Sequence, residues 1–163
     1  MVGVKSVKID GEQICVFKSL IYLFESSSGT TLEVDMIVSE VVINKYKNED
    51  TLIVEMELED DRIISSIMNL KILPGRLPQM NLYMEVDDID EYADLLKMNE
   101  NDSFFPNLEE GLTIEDIRKV EMPYVKANLK LTLPIDQVEW LDQQKTHDLN
   151  ELFKKMIYDY WKQ

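Results

Sequence analysis

Few side chains in this sequence are suited to carry out catalysis. One cysteine, Cys15, and one histidine, His147, stand near opposite ends of 163 residues. A Cys-His or Ser-His-Asp site needs its histidine beside the nucleophile. Cys15 lies in an apolar run, which suits a small core residue. His147 lies at the junction of two helical segments. The glycine patterns that cradle phosphates, Cys-x-x-Cys and His-Glu-x-x-His are all missing. The reading is therefore of a non-enzymatic chain without a cofactor.

Carboxylates are the abundant reactive group. Asp87, Asp88 and Asp90 follow an alternating run and precede a helical one. Such a group can hold Mg²⁺ or Ca²⁺, and it equally complements a helix N-terminus. Asn99, Asn101, Ser103 and Glu110 match positions 1, 3, 5 and 12 of a calcium loop, but Phe104 stands where that loop needs glycine. No metal is expected on this basis. Phe104-Phe105-Pro106 interrupts a polar stretch and offers either a core plug or an aromatic anchor for a partner.

The charge is concentrated in one part of the chain. It carries 32 acidic and 17 basic residues, a net of −15. Residues 49–116 hold 19 acids and 4 bases, a net of −15 by themselves, so the flanks balance. Such a chain is repelled by nucleic acid and by anionic membranes. It is attracted to a basic protein, and steering of that kind raises association rates. The candidate docking residues are Glu55, Glu57, Glu59, Asp60, Asp61, Asp87, Asp88 and Asp90, with Phe104 and Phe105 as aromatic anchors. Inhibitor, immunity, antitoxin and adaptor roles of bacterial or phage type fit equally. Self-association is also compatible with the pattern.

These residues must be positioned by elements the sequence announces. Asp10-Gly11 between alternating runs is a hairpin signal. Ile14–Phe24, Leu32–Tyr46 and Gln79–Val86 read as strands, and Thr51–Glu59 alternates most cleanly: Leu52, Val54, Met56 and Leu58 against Glu55, Glu57 and Glu59. Ile63–Leu73 is ambiguous between helix and strand. Ile89, Tyr92, Leu95 and Leu96 have helical spacing, and Thr113–Asp116 is a capping-box pattern opening a helix to about Val120. Val125–Leu133 reads as a last strand. Ile135–Lys145 and Asp148–Trp161 read as helices, the second capped by Asp148. Its residues Leu149, Leu152, Phe153, Met156, Ile157, Tyr160 and Trp161 make an apolar stripe expected to pack as core. The fold class is α+β: a mostly antiparallel, curled sheet or partial barrel with short helices and a C-terminal helix pair packed against it. Residues 1–163 read as one domain, with 125–163 a possible strand-helix-helix subunit.

The stretch Asn128-Leu129-Lys130-Leu131-Thr132-Leu133-Pro134, followed by Ile135–Leu141 and the helix to Trp161, resembles a ribbon-helix-helix unit. The resemblance covers about 36 residues. It implies dimerisation through the strand, with Asn128, Lys130 and Thr132 facing DNA. The connection Gln144–His147 is shorter than in that family, and residues 126–163 hold 6 lysines and 6 acids. DNA binding is thus the alternative to docking of a basic protein, and a carboxylate-held divalent metal is the third reading. One cysteine, no apolar leader and no span-length apolar run point to the cytoplasm.

Overall fold

The computed structural model describes residues 2–163. Residues 1–124 and 125–163 form two compact units. The first is built on an eight-stranded sheet, β1 (Val4–Ile9), β2 (Glu12–Ile14), β3 (Val16–Ser26), β4 (Gly29–Val38), β5 (Thr51–Leu58), β6 (Ile63–Leu73), β7 (Gln79–Glu85) and β8 (Leu96–Asn99). The order is β2-β1-β5-β6-β7-β4-β3-β8, antiparallel except for β3 with β8. This is the expected α+β class with a curled, open sheet.

Local chemistry explains the curl. Asp10 and Gly11 both take positive φ, 51° and 85°, and join β1 to β2 as the Asp-Gly signal requires. Register shifts at Val4/Ser6 on β1 and Val16/Lys18 on β3 are bulges, which increase strand bending and twist. Only Cys15 separates β2 from β3, so one bent stretch of chain supplies both the neighbour of β1 and the neighbour of β4. Cys15 is exposed at that bend, not in the core, because the kink turns it out of the alternation.

The concave face is filled by Val7, Ile9, Leu23, Leu32, Met36, Val54, Met56, Leu58, Met68 and Leu82, all fully or nearly fully buried. Helix α1 (Glu40–Tyr46) adds Val42 and Tyr46. The convex face is covered on its β3/β4 side by the chain beyond β8. Leu20, Tyr22 and Met98 pack there with Leu108, and Ile37 and Leu77 pack with Ile117 of α2 (Ile114–Val120). Several polar links hold this cover. Glu109 accepts from the Leu77 N–H at 2.8 Å, Arg76 donates to the Glu109 and Leu112 carbonyls, and Arg118 pairs with Glu40 at 2.7 Å.

Some sequence expectations need correcting. Leu32–Tyr46 is not one strand, because Ser39 caps α1 by accepting from the Val42 N–H. Ile63–Leu73 resolves as strand. The expected helix after Asp87 is a single 3-10 turn, Ile89–Tyr92, and Leu96 begins β8 instead. The Thr113/Asp116 capping box is present in full.

The second unit contains α3 (Ile135–Asp142) and α4 (Thr146–Trp161). The expected strand Val125–Leu133 forms no ladder: alternation favours extended chain, but a strand needs a hydrogen-bonded neighbour, and none is present among the described residues. Asp148 does not cap α4. The helix begins earlier, at Thr146, and Asp148 lies in its first turn. No described helix is long and apolar enough to cross a membrane.

Candidate functional site

Strand direction determines where the acids gather. β5, β7, β3 and β8 end, and β1, β6 and β4 begin, at the same end of the sheet. Three segments lie there: the turn 59–62, the 86–95 connection that crosses from β7 to β8, and residues 100–102 after β8. The connection plugs the sheet's end, with Leu95 buried in the main core and Tyr92 packed against it. Its carboxylates consequently face outward. The three segments hold ten acids, all exposed, against Arg62 as the one cation within them and Lys5 of β1, which lies 3.6 Å from Asp61.

Of the candidate docking acids, Glu59, Asp60, Asp61, Asp87, Asp88 and Asp90 lie on this rim. Glu55 and Glu57 lie on the convex face of β5, where Lys8 and Lys5 pair with them at 3.7 and 2.8 Å. Arg62 reaches Asp60 at 2.7 Å and grips Asp94 with both terminal nitrogens, tying the turn to the plug. That bond to Arg62 holds the Asp60 carboxyl below its usual range, and its carboxylate neighbours Asp60 and Asp94 raise the Arg62 guanidinium further. Asp88 caps the 3-10 turn by accepting from the Asp90 N–H at 3.1 Å. The Arg62 bonds link the turn 59–62 to the 86–95 connection.

A second feature was only half visible in the sequence. Alternation set Glu33 and Asp35 opposite Leu32, Val34 and Met36. The register places Tyr22 across from Glu33 on β3, and Asn81 across from Asp35 on β7. The Tyr22 hydroxyl lies 3.1 Å from Glu33 and 3.3 Å from Asp35. The buried Asn81 amide donates to Glu33 at 3.0 Å and to Asp35 at 2.6 Å. Burial raises the Asp35 carboxyl above its ordinary range, although hydrogen bonds from Asn81 and Tyr22 pull the other way. Burial first, and then the two carboxylates, push the Tyr22 phenol far upward. Tyr22 was legible only as an apolar strand residue, since nothing in sequence reveals a cross-strand partner.

Phe105 stands edge-on to Tyr22, ring centres 6.0 Å apart, while Phe104 is 78% exposed. Asn99 and Asp102 spend their side chains on local backbone: Asn99 accepts from the Asn101 N–H, and Asp102 from the Asn99 N–H. Among the described residues no three His, Cys, Asp or Glu side chains converge as metal ligands do.

Within the second unit, Asn128, Lys130 and Thr132 alternate with Leu129, Leu131 and Leu133 along the extended segment, all exposed except the half-buried Leu133. No residue of α3 or α4 is buried, so the stripe expected as core is only partly covered: Leu149 and Phe153 are half-buried, while Ile157 is 66% exposed and Trp161 78%. Leu131, Leu133, Trp140, Leu141 and Phe153 line a groove of about 400 Å³. His147 is exposed in the first turn of α4.

No protein-family model matches the chain, and no curated protein or solved structure matches it significantly.

Proposed function

We propose that the first unit is a binding module that docks a basic protein on its acidic rim, in the manner of an inhibitor, immunity protein or adaptor. The observation that carries this reading is the gathering, by strand direction, of ten exposed carboxylates at one end of the sheet, where Arg62 and Lys5 pair with three of them. Charges of one sign on neighbouring rigid segments sum to a field that selects and orients an oppositely charged partner. Glu55 and Glu57 contribute less, since lysines already neutralise them. The test is affinity capture from the native cell with two baits, the wild type and a variant carrying Asp60→Asn, Asp87→Asn and Asp90→Asn. A basic protein held by the wild type at low salt, released at high salt and not held by the variant supports the docking. Equal retention by both baits overturns it.

The second unit carries its own reading, a paired DNA-contacting module. The support is an extended segment with unpaired backbone, leucines on one side, and Lys126 and Lys130 without an acid from Met122 to Ile135. A second copy pairing along that segment would satisfy the backbone and leave Asn128, Lys130 and Thr132 outward. Light scattering gives the oligomeric state, and a gel shift at low salt with genomic fragments tests the DNA contact. A monomer at micromolar concentration, with no shifted band, removes this reading.

A further inference from the structure

We propose that the depression on the convex face over β4 is a binding site for a guanidinium group, an arginine side chain being its natural source. It encloses about 490 Å³ between Tyr22, Glu33, Asp35, Asn81, Tyr83 and Phe105. This site is separate from the rim, and it stands whether or not the rim docks a protein.

The argument begins with charge balance. Glu33 and Asp35 are half-buried on adjacent same-face positions of β4, and among the described residues no lysine or arginine nitrogen pairs with either. The acids Glu12, Glu40, Glu55, Glu57 and Asp60 do have such partners. Two carboxylates without a direct ion pair in a half-buried pocket are costly, and a cation bonding to them lowers that cost. Lys71 lines the same depression and offsets Asp35 only in part, by its charge and without a bond to either acid.

Hydrogen-bond capacity points the same way. Tyr22 brings one proton, Asn81 two and Thr31 one, the last donating to Glu33 at 2.8 Å. Four protons leave about half of the roughly eight lone-pair sites of two carboxylates unused. A guanidinium supplies five N–H donors in one plane, matched to paired carboxylates.

Shape separates the candidate cations. A hard divalent ion takes about six to eight oxygens, and no three-carboxylate cluster is available among the described residues. Tyr83 and Phe105 instead offer aromatic surface, on which the weakly hydrated guanidinium stacks better than an ammonium. Tyr22 and Asn81 are themselves buried, at 3% exposure each, so the carboxylates they hold are fixed before any ligand arrives.

The test is an NMR titration of the full chain with N-acetyl-arginine amide, free L-arginine, N-acetyl-lysine amide and CaCl₂. The expected result is a saturable shift of the Asn81 side-chain amide and the Phe105 ring, with a Kd of about 1 mM for the capped arginine. The capped lysine should bind about tenfold more weakly. Preference for the capped over the free amino acid marks a peptide side chain as the source, and the reverse marks the free amino acid. Glu33→Gln with Asp35→Asn should abolish the shift, and Phe105→Ala, at a half-exposed position, should weaken it in a folded chain. No saturable shift with either arginine, equal binding of lysine or Ca²⁺, or undiminished binding by the folded double variant overturns the proposal.

Discussion

Asp35 is held above the ordinary carboxyl range by burial, and the sign of its effect on stability follows directly. Between an unfolded value of about 3.9 and the raised folded one, the folded chain binds more protons than the unfolded chain. Stability therefore falls as pH climbs through that window, and the penalty is complete above it. Asp35→Asn keeps an oxygen for Asn81 and removes the charge. Its Tm should exceed the wild type's by a few degrees at pH 7, and the gap should close towards pH 4. Thermal unfolding at both pH values reads this, and a variant less stable at pH 7 contradicts it. The period-two pattern of β4 was enough to assign Glu33 and Asp35 to the face opposite the core. It could not supply Tyr22 and Asn81, which come from strands 11 and 46 residues away from their acidic partners. Nor could it show that Asn81 is buried on that face, with both acids as its partners.

The least legible element was α1. Glu40-Val41-Val42-Ile43 is β-branched and continues the apolar run of β4, so propensity favours strand. Ser39 overrides it, accepting from the Val42 N–H at 3.2 Å while its own hydroxyl donates to Glu121 beyond α2. Ser39→Ala removes the cap and leaves both groups without their partner. The expected cost is about 1–2 kcal/mol, read as a lower urea midpoint with unchanged slope. An unchanged midpoint would mean that packing of Val42 and Tyr46 alone sets the helix. The Thr113 capping box was legible because both members lie within four residues. β8 was not, because its four residues pair with β3 from more than seventy positions away. The segment 125–133 shows the converse, since its alternation is genuine but only a neighbouring strand turns extended chain into sheet.

At the scale of the molecule, the sequence located the excess charge in residues 49–116, and strand direction then focused it. A pattern along one dimension does not reveal that turns 59–62, 86–95 and 100–102 meet at one sheet end; that depends on the order β1-β5-β6-β7-β4-β3-β8. The gathering has a cost that can be measured apart from any partner. Ten exposed carboxylates with only Arg62 and, beside Asp61, Lys5 among them repel one another across distances that salt of about 0.1 M screens over roughly 10 Å. Adding salt should therefore raise the Tm of the free chain by a few degrees between low and moderate ionic strength. Asp87→Asn with Asp90→Asn should raise the low-salt Tm and flatten that dependence, while Arg62→Ala should lower the Tm and steepen it. Asp88 is left intact because it caps the 3-10 turn. If the double variant keeps the full salt dependence of the wild type, the repulsion is spread over the whole surface. The rim would then have no concentrated field with which to steer a basic partner.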